Sequence, residues 1–156
     1  MQTIRVYADT SVFGGAFDEE FQEPTQKFFD QVKRGEFALV TSALVQDEIA
    51  LAPAEVRHFF DEMLKFSDVA EVSGHALDLR DAYLHSRIVS PKYSDDALHV
   101  AVATVSGCAL IVSWNFRHIV HFRKIPLYNA INAIHGYPQI TIFSPLEVIR
   151  YEDEDI

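Results

Sequence analysis

Residues 95–106 carry the pattern that most constrains the fold. Ala97, Leu98, Val100, Ala101, Val102, Ala103 and Val105 put apolar groups on nearly every face of a helix that opens at Asp95-Asp96 and stops at Gly107. A helix with no wet face belongs in the middle of a core, and Ser94 stands where it can cap it. Ala109-Leu-Ile-Val112 follows at once and is apolar without alternation, the pattern of a parallel strand covered on both faces. A buried helix feeding a doubly covered strand calls for helices on both sides of a sheet.

The rest of the chain alternates in the same way. Ile4-Arg-Val-Tyr-Ala8 is strand-like and ends at Asp9. Pro24 to Arg34 reads as a helix with Phe28, Phe29 and Val32 on one face and Gly35 as its stop. Phe37 to Thr41 is a compact strand, and Thr41 or Ser42 can cap a helix through Ala50. Pro53 opens a helix with Val56, Phe59, Phe60, Met63 and Leu64 at helical spacing. Val69 to Val72 is a weak strand, Ser73 can cap a helix to about Ser86, residues 126–135 are helical, and Thr141-Ile-Phe143 is a last strand. Strands separated by helices predict an α/β fold with a mostly parallel sheet, which holds its ligands beyond the carboxyl ends of its strands. No repeat or linker divides the 156 residues, so residues 1–150 read as one domain, followed by an acidic tail, 151–156.

Composition removes several classes of function. No apolar run nears the roughly 20 residues that span a bilayer, and the first residues lack the form of a leader, so a cytoplasmic protein without membrane contact is expected. The single cysteine, Cys108, reads as a small buried hydrophobe. A net charge of −10 argues against nucleic-acid binding by bulk electrostatics, but it suits a site that gathers carboxylates around a cation.

Asp9 closes the first strand, Glu48 lies in the helix after the second, Asp95 and Asp96 open the buried helix, and Asn115 follows the strand 109–112. All but Glu48 fall at carboxyl ends of strands or at a helix start, and Glu48 lies within the helix that follows one. Capping and the helix dipole account for one of Asp95 and Asp96, at roughly 0.3–1 kcal/mol; adjacent anions repel, and a cation among Asp9, Glu48 and Asp96 would offset that repulsion. Taken singly, Asp9 also suits a strand-end turn and Glu48 a solvated helix face. His99, one turn beyond Asp96, reads as a packed, hydrogen-bonded core residue, and Trp114 as packing, with base stacking the alternative. His118 and His121 with Arg117, Arg123 and Lys124 form the dense basic stretch, either a solvated face or a rim for phosphate.

Asp9-Thr-Ser-Val, Val45-Gln-Asp-Glu48-Ile, Ser94-Asp-Asp-Ala-Leu-His-Val-Ala101 and Val112-Ser-Trp-Asn-Phe-Arg-His-Ile119 together resemble the motifs of the PIN-domain family, in its VapC-like toxin ribonuclease subgroup. The resemblance runs from Thr3 to about Phe143. It implies a three-layer α/β/α sandwich and an endoribonuclease dependent on Mg²⁺ or Mn²⁺, the toxin of a type II toxin–antitoxin pair. It implies Asp9, Glu48 and Asp96 as metal ligands and catalytic residues, joined by Asn115 at the position where the family has a fourth acid. Thr10 and Ser11 would hold Asp9 in place, Ser113 would hydrogen-bond a metal-bound water and Asp95 would stand at the periphery, while the basic stretch offers Arg117 and His118 as RNA contacts. An asparagine brings a carbonyl oxygen without charge, so one firmly held ion is expected, with a second only when substrate phosphate helps to hold it. The implied partners are RNA, a small antitoxin and a second copy of the chain, with Phe13, Phe17 and Phe21 as interface candidates. The alternative is a PIN-like RNA-binding or interaction module with weak or no nuclease activity. A receiver-like phosphate acceptor at Asp9 lacks a clear downstream lysine.

Overall fold

The computed structural model describes residues 3–151. Five parallel strands, β1 (Ile4–Ala8), β2 (Phe37–Ser42), β3 (Ser67–Ala70), β4 (Leu110–Val112) and β5 (Thr141–Phe143), form one sheet in the order β3-β2-β1-β4-β5. Every neighbouring pair is parallel, with Tyr7 opposite Val40 on one side and Ile111 on the other. The chain steps outward from β1 to β3, then returns to the other side of β1. That reversal opens a crevice at the carboxyl ends of β1 and β4, where sheets of this kind hold ligands.

Helices α1 (Thr10–Gly15), α2 (Gln22–Lys33), α3 (Ala43–Ile49) and α4 (Ala54–Met63) form one layer, and α8 (Pro145–Val148) returns to pack on α2. Helices α5 (Gly74–His85), α6 (Ser94–Val105) and α7 (Ile125–Ile134) form the other, with α5 against both α6 and α7. The expected three-layer sandwich is what the chain forms. Helix α6 is the helix of residues 95–106, and Ala97 through Thr104 are all buried. At roughly 1.5–3 kcal/mol for each large apolar side chain taken out of water, its burial outweighs any cap. Ser94 is not that cap. The backbone enters α6 through a 3-10 turn at Pro91–Tyr93, so Tyr93 takes the capping position without a side-chain hydrogen bond and Ser94 is already helical.

Other boundaries shift for similar local reasons. Helix α2 begins at Gln22, two residues ahead of Pro24, because proline is tolerated throughout a first turn. Strand β3 lies at 67–70 rather than 69–72, in register with Leu39 to Ser42. The Ser42 and Ser73 caps form as expected, each hydroxyl accepting a backbone N–H three residues on. The core beneath α1 is aromatic: Phe13 is fully buried and lies 5.2 Å from Phe29 and 5.0 Å from Phe60. Phe13 therefore cannot serve as an interface residue, whereas Phe17 stays at the surface against Phe59. Cys108 is buried, and burial pushes its thiol up to about 11, as packing requires. Among the described residues no helix is long and apolar enough to cross a membrane. Of the expected acidic tail, residues 152–156 lie outside the described residues.

Candidate metal centre

Asp9 leaves β1 at the mouth of the crevice and is 3% exposed. It stands at the N-cap of α1, yet its side chain makes no capping bond. Its oxygens instead accept the Ser11 hydroxyl (Oδ1, 2.6 Å) and the Ser113 hydroxyl (Oδ2, 2.6 Å), which come from α1 and from the end of β4. No lysine or arginine pairs with it among the described residues. Burial pushes the Asp9 carboxyl above its ordinary range, and the His99 charge and the two serine hydroxyls only partly oppose this. A carboxylate so placed lacks a cation, because hydroxyls satisfy its lone pairs without neutralising its charge.

Glu48 arrives from α3. Its Oε1 accepts the Thr10 hydroxyl at 2.7 Å and lies 2.6 Å from His99 Nε2. Burial alone would raise this carboxyl, but His99, by hydrogen bond and charge, and Thr10 outweigh it, so Glu48 lies below the usual carboxylate range and is ionised at neutral pH. An ionised carboxylate only accepts, so Nε2 carries the proton. On the far side of the ring, His99 Nδ1 meets the Tyr7 hydroxyl at 2.8 Å, and that hydroxyl is 2.9 Å from Ser42 Oγ. Burial lowers the His99 pKa, but the Glu48 hydrogen bond and the fields of Asp9, Glu48 and Asp96 raise it above the usual histidine value. One ring thus feels all three carboxylates that the sequence motifs group together.

Asp96 lies partly exposed in the first turn of α6, and Asp95 beside it is exposed; neither makes a hydrogen bond among the described residues. Asn115 spends its side chain on its own loop. Its Oδ1 accepts the His118 backbone N–H at 2.9 Å, and its backbone N–H donates to Ser113 Oγ at 2.9 Å. Ser113 therefore orients Asp9 and the Asn115 turn together. Trp114 is packing: its indole N–H donates to Thr25 Oγ1 at 2.9 Å and Phe21 stacks on its face at 4.2 Å, the place a base would need. Gly15 makes this fit feasible, since a Cβ there would meet Trp114 Nε1 at 2.7 Å. Gly15→Ala is expected to cost about 1–3 kcal/mol through overpacking against a rigid indole; an unchanged melting temperature would refute that account. Arg117 is exposed with its guanidinium 5.0 Å over the Tyr93 ring, whereas His118 is buried against Tyr93 and both its ring nitrogens are shut off without a partner. As placed, Arg117 and not the His118 ring faces outward.

The donor set suits a hard divalent cation, being carboxylate and hydroxyl oxygen with a buried carboxyl at its centre that no lysine or arginine pairs among the described residues. Among the described residues no three His, Cys, Asp or Glu side chains close around one point. That is no obstacle for Mg²⁺, which is commonly held by one or two carboxylates and completed by water and substrate phosphate. Sequence reading overlooked Tyr7 and the His99–Glu48 bond. The signal was there: a tyrosine hydroxyl in the buried half of a central strand needs a partner.

A model of the PIN domain matches residues 6–123, which contain every one of these groups. The chain belongs to the PIN-domain family. A comparison with curated proteins finds no match. Solved structures share the PIN fold with it. VapBC2 from Rickettsia felis, bound to a DNA fragment from its promoter, is 11% identical, with 89% of this chain and 97% of that chain covered at a TM-score of 0.57. FitAcB from Neisseria gonorrhoeae is 13% identical, with 92% and 99% covered at 0.56. DNA-bound VapBC from Salmonella typhimurium is 16% identical, with 92% and 99% covered at 0.57. At such identities the likeness is one of fold, and the site rests on the PIN chain's own residues.

Proposed function

We propose that this PIN domain is a divalent-metal-dependent endoribonuclease and that Asp9, Glu48 and Asp96 hold the ion. The observation that carries the reading is Asp9: a buried carboxylate with no basic partner, held by two hydroxyls at the crevice where the strand order reverses. When bound, Mg²⁺ or Mn²⁺ supplies charge neutralisation at the phosphoryl group and activates water for attack on phosphorus. The protein's own share is positional. Ser11 and Ser113 fix Asp9, Thr10 and His99 fix Glu48, Asn115 shapes the turn after β4, and Arg117 is the outward cation for an RNA phosphate. Asp95 stays at the periphery.

The test is cleavage of a mixed-sequence RNA pool by the purified chain. Cleavage should need Mg²⁺ or Mn²⁺, stop in EDTA and return on adding Mn²⁺. A chain that cuts no RNA with either metal, or cuts equally well in EDTA, removes this reading. The first outcome favours the alternative of an RNA-binding or interaction module without nuclease activity, which the uncharged Asn115 supports, and the net charge of −10 fits the interaction module of the two. The shared fold with VapBC and FitAcB supports a toxin role with a small antitoxin as partner; co-expression of an adjacent small reading frame should suppress the cleavage, and a homodimer is the assembly expected in its absence.

A further inference from the structure

We propose that His99 is a positioning residue for the metal centre: a buried chain from Ser42 through Tyr7 to His99 fixes Glu48 so that its Oε1 stays inside the protein and its Oε2 faces the ion. This rests on the metal-site reading above and extends it from the acidic side chains to uncharged and basic ones.

The argument begins with cost. Tyr7 and Ser42 are fully buried and His99 nearly so, and burying three polar side chains is unfavourable unless each is hydrogen-bonded. Each is: Ser42 Oγ accepts the Val45 N–H and meets the Tyr7 hydroxyl, Tyr7 meets His99 Nδ1, and His99 Nε2 donates to Glu48. Phenylalanine would fill the Tyr7 position on packing grounds alone, so the hydroxyl is there for His99. The chain also closes on itself. Ser42 caps the start of α3, Glu48 lies near the end of α3, and between them the path crosses β1 and α6. Three elements from different layers are thereby pinned at the carboxylate. The hydrogen bonds satisfy both protonation states, because Tyr7 and Ser42 can each turn the hydroxyl either way. At the end of the path Oε1 holds two donors, Thr10 and His99, while Oε2 accepts no hydrogen bond among the described residues. The result is a carboxylate with one oxygen committed and one presented.

The experiment is Mn²⁺ titration of the metal-free chain by calorimetry, with melting curves as the fold control. Positioning groups of this kind typically set metal affinity by about 10–100-fold, and that loss is expected for His99→Leu. His99→Gln, whose amide can donate to Oε1, should recover part of it. Tyr7→Phe keeps the packing and should lose about three- to tenfold, the worth of one buried hydrogen bond. A merely structural role would lower melting temperatures in all three and leave Mn²⁺ affinity unchanged well below the melt. Wild-type affinity in folded His99→Leu overturns the proposal; if that variant does not fold, wild-type affinity in Tyr7→Phe does so. A wild-type chain that binds no Mn²⁺ overturns it together with the metal reading. A wild-type chain that binds Mn²⁺ but cuts no RNA removes only the nuclease reading, and the affinities still decide the role of His99.

Discussion

Asp9→Asn is expected to stop RNA cleavage and, at the same time, to raise the melting temperature of the metal-free protein. The loss follows from removing the innermost charge offered to the ion. A bound metal supplies several kcal/mol of charge stabilisation, so kcat/KM should fall by about 100-fold or more. The gain follows from the same burial. Asp9 is shut away from water with hydroxyls but no cation for company, and its pKa is raised by that burial. A carboxyl with a raised folded-state pKa contributes stability that is fully present below the unfolded-state value and lost as pH rises through the folded-state one. Above the folded-state pKa the ionised group therefore costs stability, and asparagine removes the cost while Ser11 and Ser113 re-pair with its amide. A gain of about 0.5–2 kcal/mol is the usual size for a single stabilising substitution. The gain should shrink towards acid pH and vanish in saturating Mn²⁺, where the wild type has its cation. Retained cleavage would remove Asp9 from the site, and a lower melting temperature in EDTA would show that its charge is balanced within the protein.

Phe13→Ala is expected to bring the largest loss of stability, about 3–5 kcal/mol. The ring is fully buried and touches Phe29 and Phe60 at the junction of α1, α2 and α4, so its removal leaves a void that three packed helices cannot close. In a chain of this length the melting temperature should drop on the order of 10 °C. Phe17→Ala, at the surface edge of the same cluster, should cost far less. Were Phe13 at a subunit interface, the loss would depend on protein concentration; a loss independent of concentration locates it in the core.

These two residues also show where the amino-acid sequence was readable. The buried helix and the uniform strands announced themselves because a doubly covered sheet needs long apolar runs, and β2, β5, α3 and α4 followed from period and punctuation. Helix α1 did not. It is six residues long and ends in Gly14-Gly15, poor helix formers, and only the packing of Val12 and Phe13 makes it. Helix α8 was missed despite its signature, since Ser144 and Glu147 form a reciprocal capping box that the sequence spells out. At the site, motif spacing pointed to Asp9, Glu48 and Asp96, and in the fold the charges of all three act on one imidazole, which Glu48 alone touches. Spacing could not show which hydroxyls serve which carboxylate, because Ser113 and Asp9 meet across the sheet from distant parts of the chain.

The turn after β4 asks only one thing of residue 115, an oxygen aimed at the His118 N–H. Aspartate offers that oxygen as readily as asparagine does. Form and charge are thus separable at this corner: one atom of the side chain builds the loop, and the other, which the loop does not use, decides whether the residue carries a charge. Asn115→Asp would exchange a single NH₂ for an oxygen, adding a charge to the turn while leaving the atom that builds it in place.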